Sequence, residues 1–208
     1  MIERYTRPQM GDIWSLESKF QTFLEVELAV MEAQCAMGLV PAQALAEVKE
    51  KARFDVKRID EIEAEVRHDV IAFLTNISEN VGESARFVHM GLTSSDVIDT
   101  ALALQLKKAS SILLDDLDEL TETVLQQARK HKRTVMVGRS HGIHAEPITF
   151  GFKLAVWVEE LRRHRLRLEQ AIEMIAVGQM SGPVGTFSNI SPEVEERALK
   201  ILALTPAK

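Results

Sequence analysis

The segment from Gly138 to Pro147 holds the side chains best suited to moving protons. His141 and His144 lie in it three residues apart, and its glycines permit unusual backbone angles around them. A histidine titrates near neutral pH, so either one could act as a general acid or base. Two imidazoles at this spacing could instead share a metal ion, but the sequence has no HExxH pattern and its single cysteine is distant. We therefore predict proton transfer here rather than a metal site.

A second group of polar residues opens a predicted long helix. The run VHMGLTSSD, which ends at Asp96, contains His89, Thr93 and Ser94. Hydroxyl side chains can cap a helix, and the free amides at a helix start attract a carboxylate or a phosphate. Asp96 leaves a second interpretation open, because a carboxylate in the first turn already complements the helix dipole. The segment predicts either an anion site or a simple helix cap.

Two shorter segments could bind the anionic part of a substrate. Arg67-His68-Asp69 places a guanidinium, which can bind phosphate or carboxylate bidentately, beside a histidine that titrates near neutrality. Arg4-Tyr5 places a cation beside a phenol near the start of the chain. Taken alone, each segment is equally compatible with an ordinary polar surface. Their functional interpretation depends on convergence with the other two segments.

Hydrophobic periodicity predicts two long helices around these segments. Apolar residues recur at spacings of 4, 4 and 3 from Ile98 to Ala128, which keeps them on one face of a nearly straight helix. A second long helix is predicted to begin at Pro147, a favourable first-turn residue, and to end near Gly178. The segment that carries His141 connects the two helices, and connections of this kind often carry function.

Shorter helices are predicted before the first long one, over residues 16–37, 41–54 and 66–81. Since almost every ordered segment is predicted to be helical, the predicted fold class is all-α. We expect an N-terminal helical domain over residues 1–110. Residues 111–208 would form the first, incomplete part of a bundle of long helices.

The composition argues against several classes of protein. Hydrophobic residues make up 46% of the 208, enough for a sizeable core. The net charge of −6 argues against a nucleic-acid partner, which needs a broad basic surface. Cys35 is the only cysteine, so the chain cannot form an internal disulfide, and a cytoplasmic location is expected. No apolar run approaches the roughly 18 residues of a spanning helix, so no membrane partner is expected.

Together the motifs resemble the adenylosuccinate lyase family of the fumarase/aspartase superfamily. In chain order they are RY at 4–5, RHD at 67–69, VHMGLTSSDVIDTA at 88–101 and GRSHGIHAEPITFG at 138–151. The run GQMSGPVGTFSNISPEVE resembles the family's SGAVGT segment, with Pro183 where alanine is usual. TSSD recurs across the superfamily, but its combination with the other motifs is specific. An argininosuccinate lyase-like member and a non-catalytic helical scaffold are the alternatives.

The resemblance implies β-elimination of fumarate from adenylosuccinate, giving AMP, and from succinylaminoimidazole carboxamide ribotide, giving its parent amide. Neither a cofactor nor a metal is implied. His141 matches the general acid of the family. His68 matches a histidine that binds the phosphate and orients or assists the general acid. Thr93 and Ser94 match residues that hold a succinyl carboxylate. The remaining matches are a further active-site histidine, His89, and the nucleotide contacts Arg4, Tyr5, Arg67 and Asp69.

One part of the family's active site is missing from these 208 residues. The catalytic base of the family is a serine on a mobile loop with the pattern SSxMPxKxN, which does not occur here. We therefore expect the 208-residue chain alone to show no appreciable lyase turnover. The family also implies a homotetramer in which each site takes residues from three subunits. Self-association and a small-molecule substrate are the expected interactions.

Overall fold

The structure is a computed structural model that describes residues 2–207, without the side chain of Glu3. Two compact units form. The first contains the chain up to Lys108 together with Ile175 onward, and the second is Ala109–Met174. The prediction of an all-α fold is confirmed, because helices dominate the described residues and the strands are few and short. None of the described helices has both the length and the apolar character needed to cross a membrane.

Within the described residues there are eight α helices and four strands. The helices are α1 (Pro8–Ile13), α2 (Leu16–Ala36), α3 (Ala42–Lys51), α4 (Val56–Val66), α5 (Asp69–Val81), α6 (Ser94–Lys130), α7 (Phe150–Ile175) and α8 (Pro192–Ile201). The strands are β1 (Val135–Ser140), β2 (Ile143–Thr149), β3 (Val177–Gly178) and β4 (Thr205–Pro206). Short 3-10 turns cover Glu3–Tyr5 and Gly82–Phe87.

The core of the first unit is built around α2. Phe20 and Phe73 stack with ring centroids 5.7 Å apart, and Phe23 meets both rings edge-on. All three side chains are at most 2% exposed, and the burial of each contributes on the order of 2 kcal/mol. α8 also packs against α2, and β3 pairs with β4 in parallel. α8 and the β3–β4 pair therefore belong to the same compact unit as the N-terminal helices. The division into domains at residue 110 stays a prediction.

The predicted start of the helix at residue 66 is wrong for an identifiable local reason. The helix predicted over 66–81 is instead the end of α4 followed by α5. Arg67 adopts a left-handed backbone with φ of 55°, which ends α4, and the His68 ring accepts a hydrogen bond from the amide of Ile71, which starts α5. α4 itself was not predicted, although Asp55 caps it through the amides of Lys57 and Arg58.

The second long helix begins at Phe150 rather than at Pro147. Pro147 lies in β2, opposite Val137, because the β-branched run before Gly138 pairs with the residues that follow Glu146. The Thr149 hydroxyl accepts a hydrogen bond from the amide of Phe152 and so caps α7. The connection between the long helices is therefore an antiparallel hairpin.

The second unit consists of the C-terminal part of α6, the β1–β2 hairpin and α7. Arg165 on α7 donates two hydrogen bonds, at 2.7 and 3.3 Å, to the Asp118 carboxylate on α6. Gly151 allows the helices to meet at the other end, because a Cβ there would collide with the carbonyl oxygen of Ala128. The two helices thus run antiparallel, with the hairpin projecting from one end.

Candidate active site

His68 and Ser94 lie together in the first unit, although 26 residues separate them. The Nε2 atom of His68 is 3.3 Å from the Ser94 hydroxyl, at the starts of α5 and α6. The Nδ1 atom accepts a hydrogen bond from the Ile71 amide at 3.4 Å. In a neutral imidazole, one nitrogen accepts and the other donates. The neutral ring therefore carries its proton on Nε2, the nitrogen beside Ser94.

Asp69 is held as a carboxylate next to this pair. Its oxygens accept hydrogen bonds from the Lys19 ammonium at 3.2 Å and from the Val70 amide at 2.8 Å. Burial raises the pKa of the Asp69 carboxyl, but these hydrogen bonds and the nearby charge of Lys19 lower the pKa by more. The net result is a pKa below its usual value. Lys19 is not among the candidate residues that the sequence motifs indicate. The only signal was a cation beside the apolar stripe of α2.

The start of α6 is already occupied by a carboxylate of the chain. Asp96 is fully buried, and its oxygens accept hydrogen bonds from three amides: Thr93 at 2.9 Å, and Ser181 and Gly182 at 3.1 Å each. The capping interpretation of Asp96 is therefore realised. An anion bound at this helix start would be held by the hydroxyls of Thr93 and Ser94 and by the amides that Asp96 does not use.

Asp96 also fixes the segment that resembles the family's SGAVGT motif. Two further contacts fasten it: Thr100 exchanges hydrogen bonds with the backbone of Gln179, each at 3.1 Å, and the buried Glu195 accepts from the Met180 amide at 2.7 Å. Gly91 comes so close to the segment that a Cβ would lie 2.5 Å from the Asn189 carbonyl oxygen. Two motifs that are distant in sequence are thus joined by buried polar contacts.

His89 is held by a residue that the sequence did not single out. Its backbone has a left-handed φ of 64°. The Glu27 carboxylate on α2 accepts from the His89 amide at 2.8 Å and lies 2.7 Å from ring Nδ1. Glu27 is 1% exposed. A charged residue between Val26 and Leu28 on an otherwise apolar helix face was the available signal, since carboxylates are rarely buried without a partner.

In the second unit, His141 lies at the tip of the hairpin. His141 and Gly142 have φ values of 53° and 75°, which defines the two-residue type I′ turn that matches the twist of paired strands. Gly138 faces both Ala145 and Glu146, because the strand register shifts beside it. His141 is exposed, so its imidazole is open to a ligand or to another chain.

The remaining predicted residues lie near chain turns. Arg4 and Tyr5 belong to the first 3-10 turn, where the guanidinium carbon is 4.7 Å from the centroid of the Tyr5 ring. Tyr5 is 73% exposed. Arg67 occupies the left-handed position between α4 and α5. Within the described residues, no three His, Cys, Asp or Glu side chains are grouped as metal ligands, so His141 and His144 have no third ligand there.

Comparison with known proteins identifies the family. The family model described as Lyase matches residues 3–208. The chain belongs to this lyase family. The matched residues include the helix starts of the first unit and the hairpin of the second, so a single family includes every segment discussed above.

This lyase-family chain is also similar to curated adenylosuccinate lyases. It is 58% identical over 206 residues to that of Synechocystis sp., covering 99% of the chain and 48% of the relative. It is 50% identical over 207 residues to that of Bacillus subtilis, covering 100% of the chain and 48% of the relative. The predicted resemblance to adenylosuccinate lyase is confirmed. The chain spans about half the length of the curated relatives it matches.

Solved structures share the fold over the same extent. A fumarate lyase from Mesorhizobium sp. matches with a TM-score of 0.90 at 28% identity, covering 96% of this chain and 48% of its own. The 3-carboxy-cis,cis-muconate lactonizing enzyme of Pseudomonas putida matches with a TM-score of 0.88 at 34% identity, covering 98% and 48%. These enzymes carry different names on one fold, so the fold alone does not select the substrate.

Proposed function

We propose that this chain supplies the N-terminal half of an adenylosuccinate lyase, a carbon–nitrogen lyase of purine biosynthesis. The observation that carries the proposal is its 58% identity to an adenylosuccinate lyase across 99% of its length. The proposed substrates are adenylosuccinate and succinylaminoimidazole carboxamide ribotide. Each would lose fumarate and leave AMP or the parent amide.

The reaction requires two proton transfers on opposite sides of the substrate. A base removes the proton from the succinyl carbon beside a carboxylate, and the electron pair first enters that carboxylate as an aci-carboxylate. The electrons then return to form the double bond of fumarate as the carbon–nitrogen bond breaks. An acid protonates the departing nitrogen, so the proton and charge balance is complete.

His141 is the proposed general acid. Two features support this role: the imidazole is exposed at the tip of a two-residue turn, and histidine can carry the transferable proton near neutral pH. His68 is proposed to bind the phosphate and to assist the acid. Its Nε2 atom, which carries the proton in the neutral ring, can donate to an anionic oxygen.

Thr93 and Ser94 are proposed to hold a succinyl carboxylate. The Ser94 hydroxyl already lies at hydrogen-bonding distance from an imidazole, and both residues lie at the positive end of the long helix α6. The nucleotide contacts are proposed to come from Arg4, Tyr5, Arg67 and Asp69, with His89 as a further substrate-binding histidine. Asp69 would act partly by fixing the Lys19 ammonium beside the phosphate-binding side of the site.

The proposed assembly is a homotetramer in the cytoplasm, in which neighbouring subunits complete each site. Apolar side chains left uncovered in the second unit support self-association, because a monomer rarely exposes so many on one helical hairpin. These are Leu113, Leu120, Phe152, Val156, Trp157, Leu166 and Met174, each at least 46% exposed. Light scattering after size-exclusion chromatography of the native protein measures the assembly, and a monomer would contradict it.

The decisive experiment measures fumarate release from adenylosuccinate by the native protein that contains these residues. We expect turnover by the native protein and none by the 208-residue polypeptide alone, which lacks the SSxMPxKxN serine. Turnover by the isolated polypeptide would contradict the incomplete site. A parallel assay with 3-carboxy-cis,cis-muconate tests the activity named for the structural relative. Activity on that compound alone would overturn the proposed substrate, and activity on neither would favour the scaffold.

A further inference from the structure

The contact between Glu27 and His89 joins two distant parts of the first unit. Residues 62 positions apart meet here, and both carboxylate oxygens are engaged by one residue. One oxygen accepts from the His89 backbone amide at 2.8 Å, and the other lies 2.7 Å from ring Nδ1. The carboxylate is thus committed to the backbone and the ring of a single histidine.

The left-handed backbone of His89 must be stabilised by surrounding contacts. A non-glycine residue in the left-handed region costs about 1 kcal/mol or more and persists only where its surroundings enforce it. Gln34, about two turns further along the same face of α2, donates to the Met90 carbonyl at 2.8 Å. Gly91 follows with a φ of 84° and lies against Asn189. The segment after Val88 is therefore fixed residue by residue.

Fixing the backbone does not by itself require a charge. Gln34 anchors the neighbouring residue with a neutral amide, whereas Glu27 is a carboxylate that is 1% exposed. Burying a carboxylate is costly unless it is paired and hydrogen-bonded. The difference between the two anchors is that Glu27 also contacts an imidazole. We therefore attribute the role of the Glu27 charge to the imidazole ring of His89 and not to its backbone.

A carboxylate can only accept hydrogen bonds, so Nδ1 of His89 must carry a proton. We propose that Glu27 is the positioning residue of His89: it fixes the Nδ1-protonated ring and leaves Nε2 as the acceptor nitrogen that faces a hydroxyl group of the substrate. The His89 side chain is 18% exposed, so the ring is not sealed from a ligand. The inference rests on the proposed function in one respect, namely that His89 contacts substrate.

Glu27→Gln in the native protein separates the charge from the packing. Glutamine has the same shape, and its single carbonyl oxygen can accept from the His89 amide. Its NH₂ group then faces Nδ1, which must become an acceptor, so the proton moves to Nε2. Neutron crystallography locates the ring deuterons directly. We expect Nδ1 to be deuterated in the native protein and Nε2 alone to be deuterated in the variant.

Catalysis should respond through the same histidine. We expect Glu27→Gln to lower kcat/KM for adenylosuccinate about 10- to 100-fold, the range seen when a carboxylate that orients a metal-bound histidine is removed. In a His89→Gln background the same change should cost less than about twofold, because the histidine it acts through is gone. The control Gln34→Leu loosens the same segment without facing the ring, and it should leave the position of the deuteron on His89 unchanged.

Three results would overturn the inference: an Nδ1 without a deuteron in the native protein, an unchanged ring in Glu27→Gln, or equal losses of kcat/KM with and without His89. The first needs no variant and stands even if Glu27→Gln fails to fold. Failure of the proposed function would look different. The native protein would then release no fumarate, while the deuteron on Nδ1 would still report whether Glu27 fixes the ring.

Discussion

The two units hold the histidines of the proposed site in opposite ways. In the first unit, His68 and His89 are fastened by partners from distant parts of the chain, and buried carboxylates anchor the surrounding segments. In the second unit, His141 lies on an exposed two-residue turn whose shape is set by its own backbone. The first arrangement is built by tertiary contacts and the second by local turn chemistry. Mutations of these buried contacts should therefore cost more stability in the first unit than substitutions at the hairpin tip cost in the second.

The largest expected effect is on catalysis and comes from the second unit. His141→Gln in the native protein should lower fumarate release from adenylosuccinate about 10²- to 10⁴-fold, the contribution of a general acid. The unfolding temperature should hardly change, because the side chain is exposed. Steady-state kinetics and thermal unfolding measure the two quantities. Retained turnover would remove His141 from the reaction, and a large fall in unfolding temperature would contradict the local character of the turn.

The next effect is on stability and comes from the first unit. Asp96→Ala leaves the amides of Thr93, Ser181 and Gly182 without their shared acceptor. We expect a loss of about 3 to 5 kcal/mol in the free energy of unfolding, as for removal of a buried hydrogen-bonded charge. Urea denaturation of the native protein measures it. Asp99→Ala, an exposed carboxylate on the same helix, is the matched control and should cost less than about 0.5 kcal/mol.

A smaller effect tests whether the hairpin turn acts only through its backbone. Nothing lies within 4 Å of a Cβ at Gly142, so Gly142→Ala meets only the strain of a φ of 75°. That strain is worth about 1 kcal/mol. Hydrogen exchange of the hairpin amides should quicken accordingly. Gly142→Asn should cost less, since asparagine tolerates the left-handed region better than alanine. Equal losses for the two variants would mean that the turn depends on more than its backbone angles.

The smallest effect concerns pH. Because the folded pKa of Asp69 lies below its usual value, this carboxylate stabilises the fold above the unfolded pKa of about 3.9, and the contribution is lost as the pH falls through the folded pKa. Asp69→Asn should therefore reduce the stability difference between neutral and acidic pH. The reduction should stay under about 1 kcal/mol, since the pair with Lys19 is about one-third exposed. Urea midpoints across pH measure it, and an unchanged pH slope would contradict the pairing.

The solved structures with different names show that a shared fold does not by itself determine the substrate. Both solved structures share the fold at a TM-score near 0.9, although one is named a fumarate lyase and the other a 3-carboxy-cis,cis-muconate lactonizing enzyme. A common framework that fixes the helix starts can serve several substrates. Discrimination between substrates then depends on the side chains presented to the ligand and on the part of the relatives that these residues do not cover.

The sequence by itself determined the helical class, the long helices and the family. Those features depend on local periodicity and on motif order, which the chain carries in a linear form. It also indicated His141 as a candidate acid, and that role stays a prediction. The hairpin was missed because Pro147 suits a first helical turn as well as a strand, and only pairing with Val137 decided between them. Proline thus gave an ambiguous signal.

Only the tertiary structure decided which polar residues meet. Glu27 and His89 are 62 residues apart, and Asp96 and Gly182 are 86 apart. Nothing in the local sequence encodes such pairs. They form because folding brings the first turn of α6 and a buried face of α2 against backbone amides that need acceptors. A buried carboxylate can be recognised as unusual in a sequence, but its partner is chosen only when the chain packs around it.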